Sequence, residues 1–216
     1  PVKNLTKFNK ILGNNFFKKR IKFSLNSSLE AQLASISDDI AYNSHDLEDG
    51  LKSNLFKLND LKDIPILNKI IIKHIKKTYK YSIDLIIRQI IREIINEMVS
   101  DVILTTRINI KINKIRNLND IYNTNNKLVN FSDKMKIFDS RIKKFLKQKM
   151  YFHKKVSSKT NYGRKVITRL FASIKQNPKK YVDIKKYNNS NLERIICDYI
   201  AGMTDRYAIN LYNQIK

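Results

Sequence analysis

At 216 residues with 42% hydrophobic side chains, the chain suits one domain or one and a half, with enough apolar material for a real core. Its 43 Lys and Arg against 19 Asp and Glu give a formal net charge of +24, which permits a nucleotide or polyanion partner but does not single out nucleic acid, because the cations are spread along a chain rich in Lys, Asn and Ile throughout. The single cysteine, Cys197, excludes an internal disulfide framework; no run nears the roughly 20 apolar residues that span a bilayer, and no signal-peptide pattern opens the chain, so a soluble, cytoplasmic protein with no membrane partner is expected.

Residues 1–26 are basic and mixed, with Phe16, Phe17, Ile21 and Phe23 as anchors, and read as a loop with a short ordered piece. The next window, Ser27–Asp49, contains no Lys or Arg but six acids: Glu30, Asp38, Asp39, Asp46, Glu48 and Asp49. Ser27 and Glu30 form an S-x-x-E capping box, so a helix is predicted from here. At about 100° per residue Leu33, Ile36, Ile40, Leu47 and Leu51 share its core face. Asp38, Tyr42 and Asp46, spaced i, i+4, i+8, stack along the opposite side with His45 beside them. Ala31, Ala34 and Ala41 flank that polar line, and such small neighbours suit close packing by something else. The pattern fits either a solvated acidic face or a metal-binding carboxylate with an aromatic and a second acid along a ligand cleft, and spacing does not separate the two.

Gly50 and Asn54 loosen the chain after this helix, and Asp63-Ile64-Pro65 announces the next, because Pro tolerates the first helical turn. Residues 66–80 are amphipathic, with His74 as a surface or packing residue. From Ser82 to about Ile110, apolar pairs recur at three- and four-residue steps, predicting a long helix buried on a broad face. Residues 113–130 are Asn-rich and loop-like. Ser132 or Asp133 caps a helix predicted to run to about Lys155, in which Lys143 and Tyr151, eight residues apart, share nearly one face. Residues 160–175 form a further amphipathic helix, with Val166, Ile167, Leu170, Phe171 and Ile174 inward, ended by Asn177-Pro178. Ser190 caps a last helical pair, in which Cys197 is expected to be a buried structural thiol, Gly202 breaks the helix or admits a close neighbour, Thr204 caps the final segment and Asp205-Arg206 forms an ion pair.

The run EAQLASISDDIAYNSHDLEDGLKSNLF resembles the signature of the HD-domain deoxyguanosine triphosphate triphosphohydrolases, E-A-Q-x-A-x-x-A-D-D-I-A-Y-x-x-H-D-x-x-D-G-L. The likeness is long and nearly gap-free, departing at Ser37, where the family usually has Ala. RIKKFLKQKMYFHKKV is similar to the family's L-K-x-F-L-x-x-x-M-Y-R-H-x-x-V, with Phe152 where Arg is preferred, and DYIAGMTDRYA is a further long match. The resemblance implies an all-α helical bundle, the carboxyl-terminal part of an HD-domain phosphohydrolase fold. Residues 1–64 would hold the last HD-core helix, and 65–216 a helical phosphohydrolase-associated domain. It also implies that Asp38 is a metal ligand, that Tyr42 and Asp46 line the sugar and phosphate end of a nucleotide site, and that Lys143 and Tyr151 reach phosphate and nucleotide.

The activity so implied is metal-assisted attack of water on the α-phosphorus of a dNTP, dGTP favoured, releasing a deoxynucleoside and triphosphate. The family's two histidines and its His-Asp pair lie upstream of the E-A-Q helix, however. The three histidines here are His45, His74 and His153, and His45-Asp46 belongs to the D-D-I-A-Y-x-x-H-D run. The Mg²⁺ or Mn²⁺ site is therefore expected to need completion by an HD-bearing segment or partner chain. Two other readings stand beside this one: a catalytically inactive helical remnant in nucleotide or subunit binding, and a basic helical protein that binds nucleic acid such as single-stranded DNA. Homo-oligomerisation is a further expectation from the resemblance. An incomplete portion of such a fold should expose apolar surface where further helices belong.

Overall fold

The computed structural model describes residues 25–76, 81–182 and 192–215. The expected short ordered piece before residue 24 and the Ser190 cap lie outside them. The described residues are helical with no strand, which establishes the all-α class, and no helix among them is long and apolar enough to cross a membrane. Compactness divides the chain into Pro1–Met150 and Tyr151–Lys216.

The first unit contains α1 (Leu29–Lys52), α2 (Pro65–Ile75), α3 (Ile83–Ile112), α4 (Leu118–Asn123) and α5 (Asp133–Leu146). α3 is its axis: α1 and α2 both pack on it, and α5 packs on α1. The boundary expected after Ile64 divides family segments; α1 and α2, on either side of it, share this partner.

α1 starts one residue later than predicted, with Ser28 as its cap, accepting from the Ala31 amide at 3.3 Å. Ile36, Ile40, Leu47 and Leu51 are buried as expected, but Leu33 is 49% exposed. Gln32, one full turn before Ile36, occupies the inward line instead. Its Oε1 accepts from the Leu128 and Val129 amides at 2.9 and 3.1 Å, and its Nε2 donates to the Ser27 carbonyl at 2.9 Å. Burying an amide is tolerable when its polar atoms are satisfied, as these are. α1 ends in a Schellman arrangement, Asn54 N–H to Leu51 O and Leu55 N–H to Gly50 O, with Asn54 at φ 52°. Gly50 is not a loosened residue but the buried last turn: a Cβ there would overlap the Phe56 ring, which packs edge-on against Phe145 at 4.9 Å.

Pro65 occupies the first position of α2. Ser82 caps α3, accepting from the Leu85 amide at 3.4 Å. α3 buries Ile86, Ile87, Ile90, Ile91, Ile94, Met98 and Val102; beyond Val102 the broad buried face is not maintained, and Ile103, Leu104, Ile108 and Ile112 are exposed. His74 is a packing residue rather than a surface one: it is buried, with Nε2 2.6 Å from Glu93 Oε2.

The Asn-rich stretch is not wholly loop. Asn117 accepts from the Asn119 and Asp120 amides while Asp120 Oδ2 accepts from the Asn117 amide at 3.2 Å. This reciprocal capping box nucleates the six-residue α4. Ser132 caps α5 and is itself held by Asp101, its hydroxyl donating at 2.6 Å and its amide at 2.8 Å. The predicted helix to Lys155 is divided: α5 ends at Leu146, a π-helical turn spans Lys147–Tyr151, and His153 Nδ1 accepts from the Lys155 amide to cap a new helix.

In the second unit, α6 (Lys154–Gln176) packs against α7 (Leu192–Ala201) and α8 (Asp205–Gln214). Val166, Leu170, Ile174, Val182, Ile195, Ile196 and Tyr212 form its core. Phe171 packs at the margin, but Ile167 is 55% exposed because it sits about 100° from Val166, off the buried line. Gly202 ends α7, its amide on the Asp198 carbonyl at 3.1 Å, and Thr204 caps α8. Cys197 is exposed, not buried, because Ile195 and Ile196 take the inward positions of this short helix. The ion pair here joins Arg194 to Asp198, both oxygens at 2.9 Å, and Asp205 and Arg206 form none among the described residues.

Candidate active-site face

The acid-rich window folds as α1 because its apolar residues return to one side every three or four positions, which leaves the polar line on the other. Asp38 and Tyr42 both face solvent, Tyr42 at 59% exposure, and Asp46 is half-buried one turn on. Ala31, Ala34 and Ala41 beside them are exposed, as are Leu33 and His45. The face thus presents a carboxylate, a phenol and small apolar side chains with nothing from the described unit laid over them.

α5 brings a cation to the edge of this face. Lys143 Nζ lies 2.9 Å from Asp139 Oδ2, one turn back on its own helix, and 3.5 Å from Asp39 Oδ2, the neighbour of Asp38. Asn43 of α1 donates to the other Asp139 oxygen at 3.0 Å, so Asp139 ties the two helices together. Partial burial would lower the Lys143 pKa, but its hydrogen bond to Asp139 and the charges of Asp139 and Asp39 outweigh that and raise it. The ammonium has three donors; Asp139 takes one firmly, and the exposed contact to Asp39 is long and easily exchanged. A phosphate arriving beside Asp38 could replace Asp39 as the acceptor.

Asp38, Tyr42, Asp46 and Lys143 therefore belong to one unit, with Lys143 joined to α1. Tyr151 does not share an α-helical face with Lys143, because the π-helical turn interrupts the register after Leu146; it is half-buried and falls in the second unit. Asp39, Asn43 and Asp139 were not singled out by sequence reasoning, although Asp139 and Lys143 at i, i+4 carried a local signal. Asp39 and Asn43 required knowledge that α5 packs on α1.

A divalent ion needs several oxygen or nitrogen ligands. No group of three or more His, Cys, Asp or Glu residues suited to a metal occurs among the described residues, so Asp38 has no ligand set around it here. These residues alone do not fit the ion that the family resemblance implies.

Residues 129–214 match the model of the phosphohydrolase-associated domain, so the helices that follow the α3–α5 connection define an all-α protein carrying that domain. Over 97% of its length the chain is 43% identical to the deoxyguanosinetriphosphate triphosphohydrolase-like protein of Pelagibacter ubique (strain HTCC1062), covering 56% of that protein. Similar proteins so named in Rickettsia typhi (strain ATCC VR-144 / Wilmington) and Bartonella quintana (strain Toulouse) are 34% and 32% identical over 92% of the chain in each case, with 54% and 51% of their own lengths covered. The chain is thus similar, along nearly all of its own length, to deoxyguanosinetriphosphate triphosphohydrolase-like proteins, and it spans about half the length of the curated relatives it matches.

Proposed function

We propose that this chain is the carboxyl-terminal portion of a metal-dependent dNTP triphosphohydrolase of the dGTP type, which converts a dNTP and water into a deoxynucleoside and triphosphate. The observation that carries the proposal is the exposed Asp38 and Tyr42 of α1, with half-buried Asp46 one turn on and Lys143 held at the edge, in a chain 43% identical to a protein of that name. Tyr42 offers an exposed aromatic surface for the sugar or base, and Lys143 offsets phosphate charge by exchanging its outer contact to Asp39. Asp38 is offered as one ligand of a divalent ion, Mg²⁺ or Mn²⁺, whose remaining ligands come from an HD-bearing segment or partner chain. The exposed Leu33 on α1, and Ile103, Leu104, Ile108 and Ile112 on α3, supply apolar surface for such added helices.

The test has two parts. With Mn²⁺ or Mg²⁺ the chain alone should release no triphosphate from dGTP. Titrated with dGTP and followed by amide chemical shifts, it should respond at residues 38–46 and 139–143, and Lys143→Gln should weaken that response about tenfold, the scale of one charge-assisted phosphate contact. Triphosphate release from the chain alone would show that a complete site exists within it; the absence of shifts on α1 and α5 would remove the nucleotide role of this face. The lack of a clustered ligand set among the described residues favours one second reading, an inactive remnant in nucleotide or subunit binding, and that reading predicts shifts on α1 but no activity after completion with HD-bearing helices.

A further inference from the structure

The second unit carries a cationic groove that the proposed reaction does not use. α6 contains seven Lys and Arg and no Asp or Glu. Its buried line is Val166, Leu170 and Ile174, and a groove of about 670 Å³ opens beside it, lined by Asn161, Arg164, Lys165, Thr168, Arg169 and Tyr212 of α8, a buried member of the same core. Tyr212 is fixed by an edge-on contact with Tyr162, centroids 6.3 Å apart. Elsewhere on α6 a neighbouring helix supplies an acid, since Lys175 pairs with Glu193 of α7 at 2.6 Å. Arg164, Lys165 and Arg169 receive no such partner among the described residues.

Like charges at i, i+4, as in Lys165 and Arg169, repel along a helix, and a protein surface ordinarily relieves this with interspersed acids. Three cations without an acidic partner among the described residues, around a concavity with an amide, a hydroxyl and an aromatic floor, are the donor set an anion needs. Two are arginines, whose planar forks match phosphate oxygens in pairs. Arg164 to Arg169 spans about 7.5 Å of helix rise, a short reach that concentrates charge on a compact ligand instead of tracking a long backbone. We infer that this groove binds a compact polyphosphate, two or more linked phosphates either free or carried on a nucleoside. The inference stands on the second unit alone and does not depend on the role given to α1.

The experiment is calorimetric titration of the whole chain, in EDTA so that no metal-dependent step intervenes, with inorganic triphosphate, dGTP and deoxyguanosine in separate arms. Triphosphate and dGTP should bind and deoxyguanosine should not, and Arg164→Gln with Arg169→Gln should weaken binding about tenfold or more while leaving the helical circular dichroism unchanged. Equal affinity for triphosphate and dGTP identifies free polyphosphate as sufficient, whereas tighter dGTP binding identifies a nucleotide; both support the groove. Affinity untouched by the double substitution but lost in Lys143→Gln would overturn the groove and leave the α1 site standing. An oligonucleotide that binds more tightly than triphosphate, with losses spread over Lys154 and Lys159, would also overturn it in favour of an extended nucleic-acid surface.

Discussion

Gln32 shows how a single buried amide can organise a junction. It closes the 128–129 segment onto the first turn of α1 through three hydrogen bonds. Gln32→Ala should lower stability by about 1–3 kcal/mol, because two backbone amides lose their acceptor in a buried place; a denaturant midpoint shift with an unchanged m-value would register it. Apolar periodicity assigned this inward position to Leu33, since a hydrophobic template does not count a glutamine that is satisfied from a segment about 96 residues away. The Lys73–Glu93–His74 cluster makes a second residue-level prediction. Burial pushes the Glu93 carboxyl up, but its hydrogen bonds to Lys73 and His74 and their charges prevail, leaving it below the ordinary value of 4.5. A depressed carboxyl contributes stability that is present above the unfolded pKa and lost as pH falls through the folded one. Acid unfolding below about pH 4.5 should therefore be shallower in Glu93→Gln than in the parent, and identical acid limbs would refute the assignment.

At the scale of elements, the ends rather than the middles of helices decide what was legible. α3 was readable from Ser82 almost to its end because cap and period agree over many turns. α4 was not, because six residues have no period and only the Asn117–Asp120 box marks them. The stop of α5 at Leu146 was hidden too: residues 147–152 contain neither Gly nor Pro, and the new start depends on a His153 side-chain cap. α3 closes with Lys114 in the left-handed region, φ 51°, donating to Lys111 O while Ile115 donates to Ile110 O. Lys114→Gly should remove that strain and raise stability by about 0.5–1 kcal/mol, read as a higher melting temperature. Gly50→Ala should do the reverse, costing about 1–3 kcal/mol as the added methyl drives the Phe56 ring off Phe145.

For the whole molecule, the helical class and the α1 face followed from one long pattern and a helical wheel, whereas the Asp39–Lys143–Asp139 link depended on which helices touch. Net charge did not reveal where the cations act. Across the described residues some are spent in pairs with acids, such as Lys52 with Glu48 and Lys175 with Glu193, while those of the α6 groove are not. The lack of a ligand cluster around Asp38 among the described residues and the likeness to proteins about twice as long support one proposal: that catalytic competence arises only when this portion meets HD-bearing helices. The most direct measurement replaces the matching residues of the Pelagibacter ubique relative with this chain and follows triphosphate release from dGTP with Mn²⁺. The proposal predicts release by the folded chimera and its loss in Asp38→Ala; a folded chimera that releases none, or one whose release survives Asp38→Ala, would contradict it.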